Sequence, residues 1–390
     1  MNTKIFIAVA LVGGLVGMLA QSLNAAPAKG KVKTAGGKPV VLWKNGEAGV
    51  DTYRIPALCT APDGKTLVAA IDARHDHFQD LNREPWQKIN IMIRTSKDGG
   101  KTWTPQVASH VWKWEPGEET WAGSDPSFII DQTAKKIFLF YNVAEYVKEP
   151  KVYKQFMQCS EDNGKTWSEP KEITKDILPK GWGLRGFNFI TSGSGVQLED
   201  GTLLHTIVWV GKCVALFGSE DHGETWKAIG NPTAQPGDEC KVVELSDGRW
   251  MINSRKSAGA RDIFVSSDRG QSWDWHSDSN LLDPACNAQI MSYPLGKLAG
   301  KKVGKEKYPE SILLFSNCKS RGRNNLTLRT SWDDGETWSD GLCIEPGATQ
   351  YSDMCLVKGA GKTPDVGIIF EGPNGEIRFC TIKSQEILKK

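Results

Sequence analysis

The sequence predicts an all-β fold, a β-propeller built of four-stranded antiparallel blades. The first indication is a motif, Ser-x-Asp-x-Gly-x-Ser/Thr-Trp, which occurs five times and begins at Ser96, Ser160, Ser219, Ser266 and Ser331. Successive copies are separated by 64, 59, 47 and 65 residues, the differences between those numbers, and this spacing suits one blade with its loops. The second indication is the content of 40 Gly and 15 Trp, with few long apolar periodic stretches, which favours short strands and tight turns.

The repeated motif itself predicts a hairpin turn. Its Asp carboxylate can accept backbone N–H bonds, and its Gly can adopt the positive φ that a tight turn requires. The Trp supplies a large apolar side chain with one N–H donor. Strand-like runs precede the copies, for example residues 89–95 and 261–265. Calcium binding by the five Asp residues is disfavoured, because each copy offers one reliable carboxylate whereas calcium takes about six to eight oxygen ligands.

The N-terminus predicts processing and export. A basic start, an apolar run over residues 5–20 and small residues from Ala25 to Ala28 indicate a signal peptide over residues 1–28. A membrane anchor is the alternative, but the run is shorter than about 20 residues and contains glycines. Residues 29–37 predict a flexible lead-in, and residues 38–390 predict one propeller domain. We expect a periplasmic or secreted protein with no membrane span in the mature chain.

Charge and cysteine content exclude several classes of function. A formal net charge of +2 does not favour binding to nucleic acid or to an anionic membrane. The nine cysteines occur singly with no Cys-x-x-Cys pair, so neither a zinc knuckle nor a redox motif is indicated. Apolar surroundings, as at Cys59 and Cys355, favour small buried side chains. His75-Asp76-His77 lacks further spaced ligands, so we expect no metal and no cofactor.

The five repeats resemble the Asp-boxes, or BNR repeats, of the bacterial exo-α-sialidase (neuraminidase) family. Tyr53-Arg54-Ile55-Pro56, upstream of the first repeat, resembles the YRIP motif of that family. The similarity extends from about Lys38 to the C-terminus. It implies a six-bladed β-propeller of four-stranded antiparallel blades, with the boxes on the face away from the active site. Because five boxes leave one blade without a copy, we expect that blade to be closed by the two ends of the chain.

The resemblance also implies an activity. Members of the family remove terminal sialic acid from glycoproteins, glycolipids and oligosaccharides, with retention of configuration and a tyrosine nucleophile. The implied partners of this chain are therefore sialylated glycans. A non-catalytic Asp-box propeller that binds glycans or a protein partner is the alternative function. A hydrolase for another glycan is a weaker alternative, because it has no use for the three arginines described next.

Three arginines of the family clamp the carboxylate of sialic acid, and guanidinium forks suit that task because they bind a carboxylate through two parallel hydrogen bonds. Arg54 of the YRIP motif matches the first, Arg255 the second and Arg323 the third. Arg321 and Arg329 remain near rivals for the third position.

The resemblance places the nucleophile at Tyr351 and its paired glutamate at Glu239. An anionic nucleophile would be repelled by the carboxylate of the substrate, which accounts for the use of a tyrosine. A phenol with a reference pKa of about 10 needs a nearby base to become nucleophilic. Asp238 and Glu244 are the rival carboxylates.

The general acid of the family lies shortly after the YRIP motif, where Asp80 matches it and Asp76 is the alternative. A protonated carboxyl group there can give its proton to the departing glycan oxygen. In the family, the residues that match Arg74 and Asp125 contact the 4-hydroxyl of the sugar. The implied site is therefore made of Asp80, Glu239 and Tyr351 as catalytic residues, with Arg54, Arg74, Asp125, Arg255 and Arg323 binding the substrate.

Overall fold

The structure is a computed structural model that describes residues 34–389 with several gaps. The gaps are residues 76–77, 79, 82–87, 112–120, 146–151, 184–185, 257–258, 304–305, 360 and 362. The predicted signal peptide, residues 1–28, lies outside the described residues. Within the part of the chain that is described, no helix is long and apolar enough to cross a membrane.

The first two complete sheets follow the chain in order. Strand β1 (Val40–Lys44) comes first and is joined by a short 3-10 helix, Glu47–Gly49, to the first complete sheet. That sheet contains β2 (Thr52–Thr60), β3 (Leu67–His75), β4 (Lys88–Ser96) and β5 (Val107–Ala108). The next contains β6 (Trp121–Asp131), β7 (Lys136–Glu145), β8 (Val152–Ser160) and β9 (Lys171–Glu172), followed by helix α1 (Thr174–Ile177).

The third sheet has a broken first strand. Its members are β10 (Asn188–Ile190), β12 (Val196–Gln197), β13 (Leu203–Trp209), β14 (Cys213–Ser219) and β15 (Lys227–Ile229), and the chain forms β11 (Gly193–Ser194) between β10 and β12. Both β10 and β12 pair with β13, whereas β11 pairs in parallel with β6 of the preceding sheet. The chain therefore crosses from one blade to its neighbour at this point.

The remaining sheets complete the fold. The fourth contains β16 (Cys240–Glu244), β17 (Trp250–Ser254), β18 (Arg261–Ser266) and β19 (Asp274–Asp278). The fifth contains β20 (Gln289–Pro294), β23 (Ser311–Cys318), β24 (Asn324–Ser331) and β25 (Leu342–Ala348), with the 3-10 helix Gly296–Leu298 and the hairpin β21 (Lys302–Val303) and β22 (Glu306–Lys307) inserted. The sixth contains β26 (Ser352–Val357), β27 (Asp365–Glu371), β28 (Glu376–Ile382) and the first strand β1, with the 3-10 helix Pro373–Gly375 and the terminal helix α2 (Ser384–Ile387).

The six sheets form a closed ring. Neighbouring sheets contact each other through β2 and β6, β6 and β13, β13 and β16, β16 and β20, β20 and β26, and finally β26 and β2. Six apolar clusters of buried side chains each join two neighbouring sheets, for example Leu58 with Ile369, and Phe138 with Phe217. The six-bladed β-propeller implied by the sequence is therefore confirmed.

Each Asp-box joins the third and fourth strands of a blade, as the stretch from Ser96 to Trp103 does between β4 and β5. In the sixth blade the fourth strand is β1, which comes from the other end of the chain and pairs with β28. No box turn can exist there, because no chain segment connects the two strands. The expectation that the blade closed by the chain ends lacks a box is confirmed.

The contacts within the boxes show the turn role predicted for them. In the first box, Asp98 Oδ1 accepts hydrogen bonds from Ser96 Oγ at 2.9 Å and from the backbone N–H of Thr102 at 2.9 Å. Its Oδ2 accepts from Thr102 Oγ1 at 2.6 Å. These donors, led by the Thr102 hydroxyl, lower the pKa of Asp98 to about 2. The carboxylate is used by the turn itself.

The box glycine is required for close packing between blades. Gly164, in the second box, has φ 83°, and a β-carbon there would lie 2.7 Å from Cγ2 of Val68 in the first complete sheet. Any side chain would therefore clash with the neighbouring blade as well as strain the backbone.

The boxes and the other end of the strands are far apart. Ser96 pairs with Leu67 at the start of β3, whereas Arg74 lies seven positions further along the same strand. At about 3.3 Å per residue this separation is about 23 Å. Arg74 therefore lies at the end of the sheet opposite the first box.

Within the predicted lead-in of residues 29–37, Ala35 donates a backbone hydrogen bond to the Cys343 carbonyl at 2.8 Å and packs against an apolar cluster. All nine cysteines are free thiols, and six of them are buried as small apolar side chains: Cys59, Cys240, Cys286, Cys318, Cys355 and Cys380.

Candidate active site

One pocket, at the end of the strands away from the boxes, brings together all the residues that the sequence singled out for chemistry. Its lining includes Arg54, Arg74, Asp80, Asp125, Glu239, Arg255, Arg323 and Tyr351. Among the described residues, no group of His, Cys, Asp and Glu is arranged to hold a metal ion. Asp76 and His77 lie outside the described residues, and so does the alternative assignment of the acid to Asp76.

Tyr351 lies at the centre of the pocket, surrounded by three guanidinium groups. Its hydroxyl accepts a hydrogen bond from Arg255 Nη1 at 3.0 Å. The Cζ atoms of Arg54 and Arg323 lie 5.2 and 5.6 Å from the centroid of its ring. Burial and the negative charge of Glu239 hold the pKa of Tyr351 well above its usual value, against the lowering effect of Arg255 and Arg54. The phenol is therefore neutral at neutral pH.

A β-hairpin brings Glu239 and Arg255 together. Glu239 directly precedes β16 and Arg255 directly follows β17, and these antiparallel strands begin and end at the paired residues Cys240 and Ser254. The 16-residue spacing in the sequence thus becomes direct contact: Arg255 Nη1 donates to Glu239 Oε2, and the Arg255 backbone N–H donates to the Glu239 carbonyl at 2.9 Å. One guanidinium nitrogen therefore bridges Glu239 and Tyr351.

The two rival carboxylates have different positions. Asp238 lines the pocket, with Oδ2 3.5 Å from Arg255 Nε, and burial followed by the charge of Glu239 raises its pKa. Glu244 lies at the opposite end of β16, where it accepts a hydrogen bond from the Glu199 backbone N–H at 2.7 Å. Glu239 is thus the carboxylate that shares one nitrogen atom, Arg255 Nη1, with Tyr351, whereas Asp238 lies beside Nε of the same guanidinium.

A β-bulge turns Arg54 into the pocket and explains the YRIP motif. Between the pairs Arg54–Asp72 and Ala57–Ala70, β2 contains one residue more than β3. Ile55 takes the strain of the bulge with φ 62°, and Pro56, which has no N–H to donate, is tolerated at such an irregularity.

Glu371, which the sequence analysis did not identify, holds this bulge. Its Oε1 accepts from Arg54 Nε at 2.8 Å and from the Ile55 backbone N–H at 2.8 Å. Glu371 is the last residue of the buried strand β27. A single acidic residue at the end of an apolar strand was the available signal.

The same device recurs in the next blade at Asp125. The stretch Ser124-Asp125-Pro126 again adds one residue to a strand, between the pairs Ser124–Asn142 and Ser127–Phe140, and Asp125 has φ 61°. Burial, followed by the charges of Asp72 and Glu239, raises the pKa of Asp125 well above its usual value. A positive φ directly before proline thus marks both neighbouring bulges that supply side chains to the pocket.

Arg74 links Asp80 to the floor of the pocket. It is buried, and it donates from Nη1 to Asp80 Oδ1 at 2.8 Å and from Nη2 to Asp72 Oδ2 at 3.0 Å. Asp72, another residue missed in the sequence, also accepts from Ser124 Oγ at 2.5 Å and from the Asp125 backbone N–H at 3.0 Å. The Asp80 side chain is 55% exposed, so it remains accessible at the pocket surface.

The structure separates Arg323 from its two rivals. Arg323 lines the pocket and donates from Nη1 to Gln350 Oε1 at 2.7 Å and from Nη2 to the Ala285 carbonyl at 2.9 Å. Arg329 donates instead to the carbonyls of Ser339 and Asn280, away from the pocket, and Arg321 is exposed. Three arginines and one buried phenol thus converge, an arrangement suited to a small ligand that carries a carboxylate.

The chain is similar to known proteins in sequence and in fold. Residues 78–364 match the family model of the BNR repeat-like domain. The chain is 35% identical over 376 residues to a sialidase of Micromonospora viridifaciens, covering 88% of this chain and 54% of that protein. It is 27% identical over 363 residues to a sialidase of Bacteroides fragilis, covering 86% and 63%, respectively. The chain therefore spans between about half and two thirds of the length of these relatives. A solved structure of a Hadza microbial sialidase matches 90% of this chain and 69% of that one, with a TM-score of 0.77 at 27% identity.

Proposed function

Since the chain belongs to the BNR repeat-like domain family, we propose that it is an exo-α-sialidase, which hydrolyses the terminal sialic acid of glycoproteins, glycolipids and oligosaccharides. The observation that carries this proposal is the convergence of Arg54, Arg255 and Arg323 on the buried Tyr351. Sialic acid bears a carboxylate on its anomeric carbon. Three guanidinium groups can bind that anion and thereby hold the anomeric carbon beside the phenol oxygen.

The proposed reaction begins at Tyr351. Its oxygen attacks the anomeric carbon while its proton passes to Glu239, and the bond to the glycan oxygen breaks. The departing oxygen takes a proton from Asp80. The contact of Arg255 Nη1 with both Glu239 and Tyr351 supports this role for Glu239. A phenol whose pKa is raised by burial needs such a base. Because the phenol loses its proton only during the attack, the anionic substrate is not repelled by an anionic nucleophile when it binds.

Water completes the cycle. Asp80, now a carboxylate, takes a proton from water, whose oxygen attacks the anomeric carbon of the covalent intermediate. Tyr351 leaves and recovers its proton from Glu239. Two successive inversions give net retention of configuration. The exposure of Asp80 at the pocket surface suits both the departure of the glycan and the entry of water.

Release of free sialic acid from sialyllactose by the purified chain tests the proposal. Proton NMR of the first product should show the α anomer before mutarotation, and Tyr351→Phe should lower kcat by at least about 10³-fold with an unchanged Tm. Tyr308→Phe is the matched control, because Tyr308 packs against Trp332 outside the pocket and should retain full activity.

Three results would contradict parts of the proposal. No release of sialic acid would reject hydrolysis and favour the alternative of a non-catalytic propeller. An initial β product would reject the tyrosine mechanism while leaving the activity in place. Full activity in Tyr351→Phe would reject the choice of nucleophile.

A further inference from the structure

Lys241 and Asp353 are buried charged residues that take no part in the proposed reaction but lie close in sequence to Glu239 and Tyr351. Lys241 and Asp353 are 1% and 0% exposed, respectively. Lys241 lies on β16, two residues after Glu239, which precedes the strand. Asp353 lies on β26, two residues after Tyr351, which precedes that strand. Lys241 also interacts electrostatically with Glu239. We refer to Lys241 and Asp353 together as the buried layer.

Neutral groups fix the ends of both side chains. Lys241 Nζ donates to Asn287 Oδ1 at 2.8 Å, and Asn287 is itself buried. Asp353 Oδ2 accepts from the Leu58 backbone N–H at 2.8 Å and from Ser194 Oγ at 3.0 Å. Each charge is thus held by hydrogen bonds to groups other than Glu239 and Tyr351.

Gly193 brings the two charges close to each other. A β-carbon on Gly193 would lie 2.9 Å from Lys241 Cε and 3.5 Å from Asp353 Cγ, so both side chains border the same small space. Gly193 belongs to β11, the strand that crosses from the third blade to pair with the second. The chain crossing therefore leaves room for a buried cation and a buried anion.

Both groups are charged in a window around neutral pH. Burial lowers the pKa of Lys241 to about 8, although Asp353 opposes this effect. Burial also raises the pKa of Asp353 to about 6, although backbone donors and Lys241 oppose it. With these pKa values Lys241 is mainly cationic and Asp353 mainly anionic close to pH 7, where the layer holds one charge of each sign.

The electrostatic neighbours of this layer and of the reacting residues Glu239 and Tyr351 come from several elements. Lys241 interacts with Asp353, Glu239, Cys240, Arg261 and His205. Asp353 also interacts with Cys59 and Cys355. The other charged and titratable groups that act on Tyr351 and Glu239 are Arg54, Arg255, Arg323, Asp125, Asp238 and Cys286.

We propose that Lys241 and Asp353 are positioning residues that balance the charge near Tyr351 and Glu239 and so set the pH at which the reaction centre works. This inference rests on the proposed function. Lys241 alone would favour the deprotonated forms of Glu239 and Tyr351, and Asp353 alone would favour the protonated forms. Together they leave the reaction centre close to electrostatic balance, and they lie on β16 and β26, the strands that directly follow the two reacting residues.

Removing one charge at a time tests the proposal. Lys241→Met removes the cation and should move the pH optimum of kcat/KM upward, whereas Asp353→Asn removes the anion and should move it downward. Each shift should be about one pH unit or less, as expected for one unit charge at an effective dielectric constant of about 20. The double variant should return close to the parent. Lys136→Met, the same substitution at the box end of β7, should leave the optimum unchanged.

A second readout does not depend on catalysis. The ¹³Cδ signal of Glu239 can be assigned through Glu239→Gln and followed against pH in each variant. Its midpoint should move up in Lys241→Met and down in Asp353→Asn. If the parent releases no sialic acid, the proposed function fails, and this titration still decides the inference.

A role confined to stability gives a different pattern. Lower Tm values with unmoved pH midpoints, or shifts in one common direction, would overturn the proposal. If Lys241→Met does not fold, Asp353→Asn and the double variant are compared with the parent. Asp353→Asn must lower the pH midpoint, and the double variant, which restores charge balance, must return it to the parent value.

Discussion

The two ends of the propeller blades are built by different kinds of contact. At the box end, each turn is made by residues within one short stretch, as when Asp98 binds Ser96 and Thr102. At the pocket end, Arg54 meets Glu371 across 317 positions of sequence, and Arg255 meets Tyr351 across 96. Repetition of a local motif therefore builds the frame, whereas the pocket exists only after the ring has closed.

The box end also joins the blades in a way that the motif alone does not reveal. In four boxes, the residue before the glycine has φ between 55° and 62° and contacts the turn between the first two strands of the preceding blade. The four contacts are Asn163 with Asp63, His222 with Asp131, Arg269 with Asp200, and Asp334 with Ser246. In the first box this position is Gly99, which has no side chain for such a contact with the sixth blade.

The largest expected effect is at the pocket end, where Arg255→Lys keeps the charge but loses the planar fork. Its Nη1 serves both Glu239 and Tyr351, and one ammonium group cannot reproduce this geometry together with two parallel bonds to a carboxylate. We expect the Kd for the unsaturated analogue of sialic acid to rise by about 100-fold, close to 3 kcal/mol, the range for hydrogen bonds to charged groups. Isothermal titration calorimetry measures this change.

Arg249→Lys is the control for that experiment. Arg249 also pairs with a carboxylate, Asp247 Oδ2 at 2.7 Å, but lies in an exposed turn between β16 and β17 away from the pocket. The Arg249→Lys variant should bind the unsaturated analogue of sialic acid with the same Kd as the parent. Equal affinity in Arg255→Lys as well would remove Arg255 from the binding site.

The second effect is on stability and belongs to the box end. Asp162→Ala removes an acceptor of four hydrogen bonds, from Ser160 Oγ, the Lys165 and Thr166 backbone N–H groups and Thr166 Oγ1. We expect the free energy of unfolding to fall by on the order of 1–2 kcal/mol, with kcat unchanged. Chemical denaturation and steady-state kinetics would measure both.

Glu161→Ala, at the neighbouring position of the same box, is the control for Asp162→Ala. Its side chain is 73% exposed, and stability should not change measurably. A large loss of turnover in Asp162→Ala at unchanged stability would show that the two ends of the blade are not independent.

The propeller blades could be predicted from the sequence because each Asp-box turn is encoded by residues that are close together in the chain. Each box repeats its Asp, Gly and Trp at fixed spacing, and the chain gives five independent copies. Because five boxes leave one of six blades without a copy, the blade closed by the two ends of the chain could also be predicted to lack a box. The contact of Ala35, in the predicted lead-in, with Cys343 could not be predicted, because it joins residues far apart in sequence.

The pocket could be predicted only where a motif resembled that of a known family. Arg54 carries such a signature in the YRIP motif, whose bulge the structure explains. Glu371 and Asp72 carry none, because each is a single acid in an apolar strand and its partner comes from a distant strand or the next blade. The spacing of residues in the sequence does not define where a strand ends. It therefore could not decide which arginine faces the pocket among Arg321, Arg323 and Arg329.

The smallest expected effect concerns the contact between His222 and Asp131, which joins two blades at the box end. The His222 Nδ1 atom lies 2.7 Å from Asp131 Oδ2, but Asp131 also accepts from the Thr133 and Ala134 backbone N–H groups and from Gln197 Nε2. Because Asp131 keeps three donors without the histidine, His222→Gly should lower the free energy of unfolding by only about 0.5–1 kcal/mol, the range for a partly exposed pair. Glycine adds no strain at the φ of 58° found there, and it reproduces the first box. His222→Asn is the matched control: asparagine tolerates this φ, occupies the same position in the second box and keeps an N–H donor, so it should recover most of the loss. Equal stability of the glycine variant and the parent in urea titrations would show that the boxes act only as turns and that apolar packing alone joins the blades.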